Sequence, residues 1–376
     1  MALLAATIAG KANDTLTSYR LLKRIAALQV KENDIFPAGA FPSYRMYALN
    51  KTRWKADINP FFTGLVALTL RTIQSRLTPY QQQMATAIIE KTRPVFNKFL
   101  NRTGRISYNF WPTDTVKVFP NGGWLNWMDQ TESIPDDLDD TSIILLALDA
   151  PPALAKQAHD SMQQYINTRS GKIKNTLKRY RHLPAYSTWY GKKMPIDFDV
   201  SVLANVLYMV QRYHLNWTIA DSASLRLLEN SIKSKAIISR PAYISPHYKR
   251  TPVILYHLAR LMALKPIPEL ELYKPLLVKT AKKLLRRSKN TQDQVILSTA
   301  LLRWGELAAN LLNGQCFTID PIESDLFSFF IANMTSIAPN PFKSILGATK
   351  IGVFYYYCPA YDNLLLLEYA ALTQAQ

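Results

Sequence analysis

The chain has 376 residues, 48% of them hydrophobic and only 12 of them glycine, a composition that excludes a disordered or loop-dominated protein. Its 45 basic residues against 27 acidic ones give a formal charge of +18, which favours an anionic partner or a strongly basic outer shell. Two cysteines, Cys316 and Cys358, exclude a disulfide framework or a zinc site of their own and read as free core thiols in a reducing compartment.

The N-terminus, Met1 to Gly10, is apolar but has no positively charged leader, so it makes a poor signal peptide. No apolar stretch reaches the roughly 20 residues that span a bilayer. A cytoplasmic protein is expected, at most associated with a membrane surface. The first amphipathic helix is expected over Leu16 to Gln29. Asp57-Ile58-Asn59-Pro60 then opens an apolar helix from Phe61 to Leu70, followed by an amphipathic one over Tyr80 to Leu100. Residues 101 to 135 form a long connection carrying Tyr108, Phe110, Trp111, Trp124 and Trp127; a loop of this length inside a compact domain is usually functional.

That connection ends in the most unusual segment of the chain. Asp136, Asp137, Asp139 and Asp140 crowd into one turn after Pro135, and the apolar run Ile143 to Leu148 follows at once. Like charges this close repel, and burial without partners or protons costs several kcal/mol each. A helix needs one N-cap, so capping cannot explain all four. Downstream, apolar helices open again after Asp197-Phe198-Asp199 (Val200 to Val210), Arg250-Thr251-Pro252 (Val253 to Ala263), Thr291-Gln292-Asp293 (Val295 to Leu302) and Tyr361-Asp362-Asn363 (Leu364 to Ala371). The interleaved amphipathic segments are Ala153 to Thr168, Ser222 to Lys235, Leu270 to Ser288 and Ile322 to Ala332.

A helix apolar on most faces is buried on most faces. Six such helices alternating with six amphipathic ones predict an all-α protein: residues 1–376 as a single α/α toroid, with an inner ring, an outer ring and a cavity at the inner-helix N-terminal end. Asp, Asn and Thr at the inner-helix starts are expected to cap them. Asp57, Asp197, Asp199, Asp293 and Asp362 would then line the cavity mouth with the acidic turn, and Trp189 and Tyr190 of a second aromatic connection would join Trp111, Trp124 and Trp127 at its rim.

The string Asp137-Leu138-Asp139-Asp140-Thr141-Ser142 resembles the Asp-x-Asp-Asp-Thr-Ala motif of the class II terpene cyclases, the squalene-hopene and class II diterpene cyclases. The resemblance implies an α/α toroid acting on a hydrophobic isoprenoid, with Asp139 as the general acid that protonates an alkene or epoxide. Asp137 and Asp140 would support it, and aromatic faces would stabilise the carbocations that follow. Ser142 stands where the family has alanine, and repeated Gln-Trp signatures are absent from the sequence. The family builds its site between two toroids, whereas this length suits one, so a partner domain or subunit would complete the site. No cofactor is expected on this reading.

Two other readings share these residues. Asp136, Asp137 and Asp140 have the Asp-Asp-x-x-Asp spacing of class I isoprenoid synthases, in which case Mg²⁺ would enter to hold a diphosphate. Alternatively, a glycan-active toroid would stack sugars on its tryptophans and cleave with a carboxylate pair, Asp139 with Asp199 or with Asp293. Outside enzymology, a toroid can serve as a binding or scaffold protein.

His257 falls within an apolar helix, where it either faces the cavity or is satisfied in the core; His247 lies in a loop leading to that helix. No histidine or cysteine spacing matches a metal motif. Basic residues concentrate in Lys172 to Lys193 and along Tyr273 to Lys289, where lysines and arginines flank a Leu276, Leu277, Leu284, Leu285 stripe. Such a helix can lie on an acidic membrane surface or form an outer toroid helix with its leucines inward. No nucleic-acid module supports a nucleic-acid partner.

Overall fold

The computed structural model describes residues 17–50, 53–114, 135–191, 194–307, 319–324, 326–347 and 349–373. In chain order the helices are α1 (residues 17–28), α2 (Phe61–Ile73), α3 (Pro79–Thr92), α4 (Leu138–Leu148), α5 (Pro152–Met162), α6 (Val200–Arg212), α7 (Ile219–Lys233), α8 (Ala236–Ser239) and α9 (Pro241–Ile244). They continue with α10 (Thr251–Leu264), α11 (Pro268–Glu271), α12 (Lys274–Arg287), α13 (Thr291–Arg303), α14 (Ile319–Ser324), α15 (Phe342–Gly347) and α16 (Pro359–Thr373). The chain is mostly helical, and none of the described helices is long and apolar enough to cross a membrane.

The six apolar segments become α2, α4, α6, α10, α13 and α16. Each is buried along most of its length because its apolar residues cover more than one face. Each packs on the next: α2 on α4, α4 on α6, α6 on α10, α10 on α13, α13 on α16, and α16 again on α2. The amphipathic helices lie against them, α3 on α2, α5 on α4, α7 on α6, α12 on α13 and α10, and α14 on α16. On α12, Leu277, Val278 and Ala281 are buried while Lys279, Lys282, Lys283, Arg286 and Arg287 are exposed, so its apolar side faces the neighbouring helices.

The expected caps hold in part. Asp137 caps α4, Asp199 caps α6 and Asn290 caps α13, each accepting from a first-turn N–H. Asp57, Asp293 and Asp362 are not caps. Pro60 precedes α2 without a side-chain cap bond, Asp293 and Asp362 sit inside the first turns of α13 and α16, and Asp57 instead pairs with Arg45 at 2.5 Å. Residues Tyr80 to Leu100 are not one helix: Pro94 lacks the N–H that would continue α3, and Arg93–Lys98 tightens into a 3-10 turn.

A small antiparallel sheet departs from the all-helical expectation. Its strands, β1 (Tyr44–Tyr47), β2 (Lys55–Ala56), β3 (Ile331–Asn333) and β4 (Val353–Tyr357), lie in the order β2-β1-β4-β3, with Tyr44 opposite Tyr357. The helix expected over Ile322 to Ala332 is therefore corrected: only Ile319–Ser324 is helical, and Ile331–Asn333 is recruited by the aromatic strand Val353–Tyr357. Between them Phe329 and Phe330 pack on the core, the Phe330 ring lying 4.9 Å from that of Phe61 at the start of α2 and 5.7 Å from that of Tyr248.

One glycine holds an essential close approach. Gly39 has φ +87, and a Cβ there would sit 1.9 Å from the carbonyl oxygen of Lys91. Gln29 Nε2 ties the same loop to α3 through the carbonyls of Gly39 and Ile88. Gly39→Ala is expected to destabilise the fold by more than about 2 kcal/mol, since strain at this φ and the overlap with a backbone oxygen add, read as a lowered urea midpoint with an unchanged slope.

Candidate active site at the acidic turn

The acidic turn is clamped from both sides. Asp137 N–H donates to the Tyr108 carbonyl at 3.1 Å, and Leu138 N–H to the Thr188 carbonyl at 2.9 Å, so the two aromatic connections flank the start of α4. Thr141 Oγ1 donates back to the Asp137 carbonyl at 2.7 Å and accepts from Tyr108 N–H. All four aspartates are buried.

Each carboxylate has a different environment. Asp136 is a structural anchor: its Oδ2 accepts from Ser107 at 2.5 Å, Asn101 at 2.7 Å and Arg105 at 2.7 Å. Asp137 Oδ1 accepts from Asp140 N–H at 2.6 Å, the capping bond. Burial, reinforced by the charge of Asp139, raises the Asp137 carboxyl to about 8. Asp139 Oδ1 accepts from Asn205 Nδ2 at 2.6 Å, and its Oδ2 accepts from the Tyr248 hydroxyl. Burial raises Asp139 to about 6, with these two donors restraining the shift. No N–H or hydroxyl donor reaches either oxygen of Asp140, which faces the Asp137 carboxyl; burial, with the charges of Asp137 and Asp139, holds its proton affinity well above the usual carboxylate range.

A second acidic start lies nearby. Asp199 accepts from Ser201 N–H, Ser245 Oγ and His247 N–H, and burial raises its carboxyl. Asp197 accepts from Ser336 at 2.6 Å, Asn175 at 2.8 Å and Lys343 at 3.2 Å; against the cost of burial, Lys343 and His247 hold it well below the ordinary range. His247 is buried, which disfavours its charge, yet Asp197, Asp199 and Asp137 raise its proton affinity overall.

The remaining expected site residues divide. Trp111 is buried with its indole N–H 3.4 Å from Asp57 Oδ1, Trp189 meets His247 edge-on at 5.9 Å, and Tyr190 lies beneath the Arg105 guanidinium at 4.7 Å. These rings are packed into protein, not presented on a rim. Asp293 pairs with Arg250. Asp362 is buried in the first turn of α16, and Gln292 donates to its backbone carbonyl. His257 Nδ1 lies 2.8 Å from the Val253 carbonyl, its ring edge-on to Tyr248 at 4.5 Å; burial and Arg260 suppress its charge, so it is a core histidine. Trp124 and Trp127 lie outside the described residues, as does Cys316; Cys358 is a buried free thiol.

Three residues absent from the sequence reading complete the surroundings of Asp139: Tyr248, Asn205 and Arg260. Arg260 donates to Asn205 Oδ1, which turns the Asn205 amide so that its N–H faces Asp139. The one available signal was a buried-helix arginine and asparagine inside otherwise apolar runs.

None of the described cavities is lined by the four aspartates. Phe61, Phe110, Tyr248, Phe330 and Tyr356 pack together over the helix starts. Described cavities of about 440, 530 and 430 Å³ have other linings. Among the described residues no group of three or more His, Cys, Asp or Glu is placed to hold a metal ion. Asp136 is taken up by Ser107, Asn101 and Arg105, and Asp137 by the α4 cap, so the three carboxylates are not arrayed as the convergent ligands a diphosphate-bound Mg²⁺ needs. No protein-family model, curated protein or solved structure matches the chain.

Proposed function

We propose that this chain is an α/α toroid enzyme that initiates cyclisation of an isoprenoid by protonation, with Asp139 as general acid. The consecutive packing of α2, α4, α6, α10, α13 and α16, with α16 returning to α2, supports the toroid. The observation that carries the reaction is the dry carboxyl cluster: Asp139, fixed by Tyr248 and Asn205, is raised to about 6, so that it is protonated in mildly acidic solution and gives up its proton more readily than the two carboxyls beside it. Proton transfer from Asp139 to an alkene carbon would leave a carbocation facing the rings of Phe61, Tyr248 and Phe330. Those rings pack against one another, so on this reading the Phe330 ring would have to shift to admit a substrate beside them. A partner domain or subunit would supply further walls.

The test is product formation from linear sesqui-, di- and triterpenoid precursors. Wild type is expected to give cyclised product, and Asp139→Asn to lose at least about a hundredfold in rate, the size of a general-acid contribution. No product from wild type with any precursor would sink the reading. Equal rates in both proteins would remove Asp139 from its role.

The packed aromatics favour one second reading, a non-catalytic toroid that binds a partner through its surface. The glycan reading gains no such support, because Trp111 and Trp189 are buried instead of forming sugar platforms.

A further inference from the structure

The charge of +18 is not spent at the acidic turn, and one place concentrates it in a concave site. A groove of about 530 Å³ lies between the 3-10 turn Lys178–Tyr180 and the region of α8, lined by Lys178, Arg179 and Arg240 with Leu177 and Ala236 among its floor residues. No carboxylate lines it. All three cations are exposed, and among the described residues none is in a salt bridge.

The groove is ordered rather than a loose set of surface lysines. Arg179 stacks on the buried Tyr180 ring at 4.8 Å. Arg240 sits at the joint of α8 and α9, its backbone N–H bonded to the Ala236 carbonyl at 2.9 Å. Asn340 ties the basic loop to α9, donating to the Thr176 carbonyl and to the Tyr243 hydroxyl, both at 2.7 Å.

Like charges converging on a concave space repel one another unless an anion joins them. Guanidinium forks match phosphate oxygens bidentately, and a volume of this size suits a small molecule. We infer that this groove binds a phosphorylated small molecule through its phosphate or diphosphate group. The groove shares no lining residue with the acidic turn, and its binding requires no reaction there.

Titration calorimetry of the full chain with inorganic pyrophosphate tests it. Saturable one-to-one binding is expected, weakened roughly tenfold or more in a Lys178→Gln/Arg240→Gln protein because charge-assisted hydrogen bonds are lost. A Lys279→Gln/Lys283→Gln protein, carrying the same charge change on α12, is expected to bind as wild type does. Absence of saturable binding overturns the site. Equal weakening in both double variants overturns it as well, since it reduces the effect to net charge. Binding to anionic phospholipid vesicles that pyrophosphate does not displace would instead make the groove part of a membrane-facing surface and would also overturn it.

Discussion

A Glu368→Ala protein is expected to unfold with about 3–5 kcal/mol less free energy than wild type, the usual cost of stranding one member of a buried ion pair. Glu368 is fully buried on α16 and accepts from Arg303 of α13 and from the Tyr256 hydroxyl of α10, the latter at 2.5 Å. Truncation leaves a guanidinium without its counter-charge and a buried hydroxyl without its acceptor. The loss falls at the packed contacts α10–α13 and α13–α16, so it weakens the helical core itself, not a surface pair. By contrast Lys156–Asp160, an exposed ion pair at 2.6 Å, is worth at most about 1 kcal/mol. Urea denaturation of Glu368→Ala and of an Arg303→Met/Glu368→Leu double variant separates the contributions. The double variant is expected to cost less than Glu368→Ala alone, because it removes both charges together. A single-variant loss below about 1 kcal/mol would mean that water reaches Arg303 and the pair is not dry.

That pair also marks where sequence reasoning stopped. The six apolar helices were legible because each is apolar on more than one face: Phe61 to Leu70 became Phe61–Ile73, and Val253 to Ala263 became Thr251–Leu264. The acidic turn stood out in the sequence because four like charges in one turn cannot all be caps, and all four aspartates are buried. What each aspartate does was not legible. Asp136 is matched by Ser107, Asn101 and Arg105 from the connection before it, and Asp139 by Asn205 and Tyr248 from helices and loops far along the chain. Such pairings depend on tertiary packing, to which local pattern is blind. The sheet was missed for the same reason: β1 and β4 are about three hundred residues apart, and neither short strand announces its partner. The aromatic clusters were read as a rim because spacing shows where rings are but not which way they point; Trp111 and Trp189 turned inward.

The polar core explains how the acidic turn can be both buried and tolerated. Arg260 carries positive charge to the Asp139 region through Asn205, while Lys343 and His247 serve Asp197 and Asp199. Cations therefore reach the acids on the α6 and α10 side. Asp140 lies outside that provision, and it is the carboxyl with no donor. A fold that leaves such a group unpartnered spends stability on it at every pH where the unfolded chain would be ionised.

Asp140→Asn should accordingly stabilise the protein, and by more as pH rises. In the unfolded chain the group titrates near its ordinary value of 3.8, while in the folded protein burial and its acidic neighbours keep the proton on to much higher pH. Below pH 4 both states are protonated, so wild type and variant differ little. Above it the unfolded state loses a proton that the folded state keeps, and wild-type stability falls by up to about 1.4 kcal/mol per pH unit. The window extends upward through the cluster, since Asp139 is raised to about 6 and Asp137 to about 8. His247, also raised, adds loss in the same direction between its ordinary 6.5 and its folded value. Asp197 and Asp221, both lowered, contribute at acid pH with the opposite sign and leave this window untouched. The amide introduced by the substitution cannot ionise and can donate to the Asp137 carboxyl, so it removes the Asp140 part of the slope. Thermal or urea unfolding from pH 4 to pH 8 should show the two proteins nearly equal at the acid end and the variant increasingly ahead as pH rises. A variant less stable than wild type at pH 8 would show that Asp140 carries a charge the fold needs, and would require a cation beside it.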